Sequence, residues 1–148
     1  MILIFIIDID ILIFIIQKAA IRILSNAHYR DSCRELNLFE TQNSLPLPAL
    51  YIFQIVLFCK KNSQYLENTV QNHSYNTRNK NLYTPLRHKT TAYEKGPLYS
   101  GQKFYNMLPL NIREEPSLNV FKILLKKFLF AKKIYCINDL WCFIRYII

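Results

Sequence analysis

Residues 116–133 read PSLNVFKILLKKFLFAKK and form the clearest helical pattern of the chain. Pro116 and Ser117 are residues that commonly introduce a helix, and the apolar residues that follow recur every three or four positions. This spacing predicts an amphipathic helix from Leu118 to about Lys133. The predicted inward residues are Leu118, Phe121, Leu124, Leu125, Phe128 and Leu129, and the predicted outward residues are Lys122, Lys126 and Lys133.

Five other segments favour helices, and no segment carries a hairpin signal. These predicted helices lie at residues 17–28, 33–39, 49–59, 98–108 and 140–148. In the first of them the apolar side contains Ala20, Ile21, Ile23, Leu24 and Ala27, and the polar side contains Lys18, Arg22 and Asn26. We therefore predict a mainly α fold, a small irregular helical bundle of five to six helices with a long basic loop. The predicted core contains Leu50, Phe53, Leu57, Phe121, Leu125 and Phe128.

The N-terminal segment, residues 1–16, reads MILIFIIDIDILIFII, and fourteen of its sixteen residues are apolar. It is shorter than the roughly 20 residues that a membrane-spanning helix needs, and two aspartates interrupt it. It also lacks the basic start and the cleavage site of a secretory signal. The pattern leaves open whether this segment is a helix or a strand.

The long basic loop, residues 73–108, departs from the rest of the chain in composition and reads HSYNTRNKNLYTPLRHKTTAYEKGPLYSGQKFYNML. This basic strip contains both glycines of the chain, and it has six cationic residues against a single acidic one. Pro85 and the Gly96-Pro97 pair interrupt any continuous helix. Residues 73–97 are therefore predicted to be extended or irregular.

Cationic and aromatic side chains are interleaved along the basic strip. Cations neutralise phosphates and release counterions, and flat aromatic faces stack on unpaired bases. The pattern predicts weak, sequence-independent binding to RNA or single-stranded DNA. The predicted nucleic-acid-binding residues are Arg78, Lys80, Arg87, Lys89 and Lys103, with Tyr75 and Tyr83 as stacking partners. The other interpretation is a solvated loop whose tyrosines pack on neighbouring helices.

Several separated runs of the sequence agree in order and spacing with one known family. The runs are QKAAIRILSNAHYRDSCREL (17–36), HSYNTRNK (73–80), EKGPLYSGQKFYNMLP (94–109) and SLNVFKILLKKFL (117–129). They resemble the extreme C-terminal region of the reverse transcriptases, or RNA-directed DNA polymerases, of non-LTR (jockey-like) retrotransposons. The resemblance covers residues 17–135, whereas residues 1–16 have no counterpart and residues 37–47 depart from the family's spacing. It implies a helical, basic region downstream of the catalytic palm, with an auxiliary role in binding template or target nucleic acid.

The chain lacks the residue patterns of a catalytic or metal site. The family's polymerases carry adjacent aspartates in an aromatic-Ala-Asp-Asp turn, whereas an isoleucine separates Asp8 from Asp10 here and no third acid follows. The four cysteines form no C-x-x-C pair, and His28 with Cys33 supplies only two of the usual four zinc ligands. We predict no enzymatic activity, no metal and no cofactor for this chain, and a reducing compartment.

The sequence thus divides into an apolar N-terminal segment (1–16), a helical reverse-transcriptase-like region (17–135) and an apolar tail (136–148). The chain has a formal net charge of +9, which favours a polyanionic partner. The first functional hypothesis is a non-catalytic, intracellular fragment in the cytoplasm or nucleus that binds nucleic acid. The second is a small membrane-associated protein. In this hypothesis the segment from Met1 to Ile16 is the membrane anchor, and the basic loop contacts anionic lipid headgroups. The third is a decayed transposon copy without function, and the pattern leaves the oligomeric state open.

Overall fold

In the computed structural model, the described residues are 2–63, 82–83, 90, 93 and 96–135, and for residues 2–10 only the backbone is described. Within these ranges the chain is helical and contains no strand. The helices are α1 (Ile2–Leu24), α2 (Leu38–Thr41), α3 (Leu47–Lys61), α4 (Pro97–Asn106), α5 (Leu110–Arg113) and α6 (Leu118–Lys132). The mainly α prediction is confirmed, and the N-terminal segment continues as helix into residue 17 and beyond. The helix predicted at 140–148 lies outside the described residues.

The chain divides into two compact units. Of the described residues, the first unit contains 2–50 and 128–135, and the second contains those between 51 and 127.

The first unit is built around Phe39, which is completely buried. Its ring meets the edge of the Tyr135 ring, with 5.6 Å between the centroids. The Tyr135 hydroxyl donates a hydrogen bond to the carbonyl of Cys33 at 3.4 Å. The remaining members of this apolar cluster are Ile21, Leu38, Phe14 and Ala27. The cluster therefore joins α1, the turn before α2, and the chain that follows α6.

Helix α1 presents apolar side chains to solvent and polar side chains to the first unit. Its exposed residues between 11 and 24 are Ile11, Leu12, Ile13, Ile15, Ile16, Ala19, Ala20, Ile23 and Leu24. Gln17 donates from Nε2 to the Leu45 carbonyl and accepts from the Leu47 N–H, both at 2.9 Å. Arg22 Nε donates to the Asp31 carbonyl at 2.9 Å. These bonds turn the polar residues inward, so the predicted apolar side is wrong for Ala20, Ile23 and Leu24.

Asparagines end three helical turns of the first unit. Asn26, Asn37 and Asn43 have φ values of 50°, 49° and 50°. After each of them, the next backbone N–H bonds to the carbonyl five residues earlier, as from Ala27 to Arg22 at 2.9 Å. This is the Schellman arrangement, in which asparagine replaces the usual glycine because it tolerates left-handed backbone. Helix α1 therefore ends at Leu24 rather than at the predicted His28.

In the second unit, α3 and α4 pack closely at Gly101. A Cβ atom added to this glycine would lie 2.7 Å from Cγ2 of Ile55 and would clash with Sγ of Cys59. Gly101, Phe104, Tyr105 and Leu108 are all buried, at the spacing of one face of a helical turn. The absent side chain thus permits the contact between the two helices.

Five of the six residues of the predicted core are buried or half-buried. Leu57, Phe121 and Leu125 are buried, whereas Phe53 and Phe128 are half-buried. Leu50 is 37% exposed, so its assignment to the core is wrong. The buried side of α3 contains Ile52, Ile55, Val56 and Cys59. Position 50 lies opposite these four residues on a helix with 3.6 residues per turn. Leu57 is on the same side as Leu50 and is buried, so burial on that side differs between the two ends of α3.

We expect Gly101→Ala to lower the free energy of unfolding by about 1–3 kcal/mol, because the added methyl group overpacks the contact with α3. An unhindered glycine-to-alanine change inside a helix has the opposite sign and stabilises by about 0.5–1 kcal/mol. Urea denaturation of the full chain measures the difference. Adding Cys59→Ala, which removes the clashing sulfur, should recover part of the loss, and a stabilised Gly101→Ala protein would contradict the close contact.

Candidate nucleic-acid interface

The predicted nucleic-acid-binding residues fall in two groups. Tyr75, Arg78, Lys80, Arg87 and Lys89 lie outside the described residues, and Tyr83 and Lys103 lie within them. The described part of the basic strip therefore consists of residues 82–83, 90, 93 and 96–108, which include α4.

The backbone of Tyr83 is bonded to the side chain of Asn106, the last residue of α4. The Tyr83 N–H donates to Oδ1 of Asn106 at 2.9 Å, and Nδ2 of Asn106 donates to the Tyr83 carbonyl at 2.7 Å. Both distances are those of good hydrogen bonds. One amide side chain thus satisfies the donor and the acceptor of a single backbone residue.

The ring of Tyr83 packs on the aromatic core of the second unit. Its centroid lies 5.0 Å from that of Tyr105, with the two rings tilted by 54°. Tyr105 is in turn stacked on Phe121 at 6.4 Å, and its hydroxyl donates to the Arg113 carbonyl at 3.2 Å. Burial raises the pKa of Tyr105, and nearby Arg113 opposes the rise. The Tyr83 side chain is half-buried in this arrangement.

Lys103 and two tyrosines form a cationic and aromatic cluster at the surface. Lys103 Nζ lies 4.6 Å from the ring centroid of Tyr99, one helical turn earlier on α4, within cation–π range. The Tyr99 ring meets the Tyr93 ring at 6.0 Å with a T-shaped geometry. Tyr93 is 38% exposed. The sequence shows these tyrosines among the interleaved aromatics, but only the helical register brings Tyr99 beside Lys103.

The described part of the second unit is strongly cationic. It has seven basic residues, Lys60, Lys61, Lys103, Arg113, Lys122, Lys126 and Lys127, against two acidic ones, Glu114 and Glu115. Lys61 and Lys127 are exposed, whereas Lys122 and Lys126, which were predicted to face outward, are half-buried. Lys133, also predicted outward, is exposed and belongs to the first unit.

Two of these cations are used inside the second unit. Lys60 Nζ donates to the Arg113 carbonyl at 2.9 Å and lies 5.2 Å from the Phe121 ring centroid. Burial lowers the pKa of Lys60, and the charge of Glu115 acts in the opposite direction. Nε and Nη1 of Arg113 are buried without a hydrogen-bond partner among the described residues. Lys60 and Arg113 are therefore less available to a polyanion than the exposed lysines.

Two of the four cysteines lie among the described residues. Cys33 and Cys59 are free and buried, and burial raises the pKa of the Cys59 thiol to about 11. No group of three or more His, Cys, Asp or Glu among the described residues could hold a metal ion. Within the same ranges, none of the helices combines the length and the apolar character that a bilayer crossing requires.

Comparison of the chain with protein families, curated proteins and solved structures finds no match to any family model, protein or structure.

The raised pKa of Cys59 predicts a loss of stability at alkaline pH. A thiol whose folded pKa is about 11, against 9.0 ordinarily, contributes its full stabilisation below pH 9 and loses it as the pH rises to 11. We expect the free energy of unfolding to fall over this window, and Cys59→Ala to fall less steeply. Tyr105 leaves a residual slope, since its pKa is also raised. Identical slopes for the two proteins in urea titrations from pH 8 to 11 would contradict the assignment.

Proposed function

We propose that this chain is a non-catalytic nucleic-acid-binding module, a fragment of a non-LTR retrotransposon reverse transcriptase that lacks the catalytic palm. It binds RNA or single-stranded DNA weakly and without sequence preference, inside the cell. The binding residues are Arg78, Lys80, Arg87, Lys89 and Lys103, with Tyr75 and Tyr83 beside them. The observation that carries the proposal is the cationic excess of the second unit next to tyrosine rings at its surface.

The cluster of Lys103, Tyr99 and Tyr93 supplies the two chemical elements that single strands require. A lysine ammonium neutralises one phosphate, and exposed aromatic rings stack on bases of any identity. The two acidic residues of the described second unit lie together at Glu114 and Glu115. Neither is on α4, so Lys103, the one cation of that helix, has no acidic neighbour on its own helix.

The absence of catalysis is the second part of the proposal. It rests on the sequence, in which Asp8 and Asp10 are not adjacent and no further acid completes a two-metal site. Any polymerase activity of the family would then reside in regions that the resemblance does not cover.

Salt-dependent binding tests the proposed interface. If four or five phosphates are neutralised, log affinity against log salt for a single strand should have a slope of about −3 to −3.5. Changing Arg78 and Lys80 together to Ala should reduce the slope by roughly 1 to 1.5, because two of these contacts are lost. Fluorescence anisotropy with a labelled oligonucleotide measures both quantities.

The matched control removes two exposed lysines of the first unit, Lys132 and Lys133. This double variant has the same net charge as the Arg78 and Lys80 double variant, and it should keep the wild-type slope. Equal slopes for all three proteins would show that the basic strip is only a solvated loop.

The outward face of α1 favours a second candidate function, association with a membrane surface. Between residues 11 and 24 its exposed residues are all aliphatic or alanine, over about 20 Å of helix. Uninterrupted exposed apolar surface of this kind marks interaction sites. Tyr29 and Arg30 follow the helix and are exposed, and this pairing of an aromatic ring with a cation suits the headgroup region. The net charge of +9 adds attraction to anionic lipid.

Vesicle flotation tests this second function with the full chain. We expect the wild-type protein to float with vesicles that contain phosphatidylserine. Ile16 and Ile23 are 60% and 76% exposed, so Ile16→Glu with Ile23→Glu should abolish flotation without disturbing the core. The control changes two exposed apolar residues of α6, Val120 and Ile123, to Glu and should still float. Wild-type protein that stays at the bottom of the gradient would exclude the membrane function.

A further inference from the structure

The pair of bonds between Asn106 and Tyr83 resembles the pairing of two residues across a β-ladder. The amide donates to the carbonyl of Tyr83 and accepts from its N–H, at 2.7 and 2.9 Å. The ring of the same tyrosine rests 5.0 Å from that of Tyr105, which is buried. Backbone and side chain of Tyr83 are thus held at once, although the residue belongs to no helix.

Tyr83 occupies a central place among the cations of the basic strip. Arg78 and Lys80 precede it in the sequence, and Arg87 and Lys89 follow it. Chain connectivity alone keeps the Cα atoms of Lys80 and Arg87 within about 10 and 14 Å of that of Tyr83. Lys103 lies three residues before Asn106, on the same side of α4. A fixed Tyr83 therefore holds one residue of the basic strip at the helix that carries Lys103.

We propose that Asn106 is a positioning residue of the nucleic-acid interface, which anchors the basic strip to α4 at Tyr83. In this role Tyr83 is an anchor rather than a stacking platform for a base. The inference rests on the proposed function and deepens it. The partner that it implies is the phosphate backbone of a single strand, contacted by cations from both sides of Tyr83 together with Lys103.

An anchor of this kind affects affinity and salt dependence differently. Without it, Tyr83 must be ordered when the ligand binds, and that entropy is lost from the binding free energy. The number of cations that reach phosphates stays the same, so the salt slope stays the same. Removing a stacking platform instead weakens binding only where bases are present.

The experiment compares Asn106→Ala with the wild-type chain by hydrogen exchange and by anisotropy. We expect the Tyr83 amide to exchange at least tenfold faster in the variant, because its acceptor is gone. We expect affinity to fall about three- to tenfold for an oligouridine strand and equally for an abasic strand of the same length, with an unchanged salt slope. Asn119→Ala, at an exposed position of α6, is the matched control and should change neither measurement.

Asn106→Asp covers the case in which the alanine variant fails to fold. Aspartate has the same shape as asparagine and keeps the acceptor for the Tyr83 N–H. Hydrogen exchange of the Tyr83 amide should therefore accelerate less in this variant than in Asn106→Ala. Exchange as slow as wild type in every folded variant overturns the anchor. A loss of affinity confined to the oligouridine strand overturns it too, in favour of stacking by Tyr83. Wild-type protein that binds neither strand overturns the proposed function, whereas binding that Asn106→Ala leaves unchanged overturns only the positioning role.

Discussion

The second unit depends on the close approach of α3 and α4 at Gly101, where the lack of a side chain lets Ile55 and Cys59 press against the helix backbone. Tyr105 follows one turn later on the same face of α4. The distance between α4 and α3 determines whether the Tyr105 hydroxyl can donate a hydrogen bond to the Arg113 carbonyl. Lys60 donates to the same carbonyl. A single hydrogen atom in place of a methyl group thus sets the position of a half-buried polar junction. The ring of Tyr105, whose hydroxyl takes part in this junction, is also the ring on which Tyr83 rests.

Amide side chains hold the irregular segments of both units. Gln17 bonds to the backbone on each side of Pro46, and Asn106 bonds to both backbone groups of Tyr83. In each case one residue of a helix satisfies two backbone groups that have no partner within a helix: the Leu45 carbonyl with the first N–H of α3, and the carbonyl and N–H of Tyr83. Buried or half-buried loops need such partners, because an unpaired peptide group away from water costs about as much as a lost hydrogen bond.

Helical periodicity predicted the class of fold and the position of α6, because its apolar residues alternate with lysines and reveal the buried face. The same method assigned Ala20, Ile23 and Leu24 of α1 to the buried side although they are exposed, and it placed Leu50 of α3 in the core, where nearly every side of the helix is apolar. The candidate site was predictable only in composition. The link between Asn106 and Tyr83 spans 23 residues, and an amide gives no sign in the sequence of which distant backbone it will bond. The pairing of Lys103 with Tyr99 was readable from helical spacing once the start of α4 at Pro97 was known.

The asparagines at the ends of helical turns have a consequence for the gene. Glycine, the usual residue at such positions, is encoded by triplets rich in guanine, whereas asparagine is encoded by triplets rich in adenine. Isoleucine, lysine, tyrosine and phenylalanine, which together make up 52 of the 148 residues, also have codons rich in adenine and thymine, and only two glycines occur. Asn26, Asn37 and Asn43 show that left-handed helix stops can be made within that coding bias. A protein with few glycines can therefore end its helical turns with asparagine, a residue whose codons are rich in adenine.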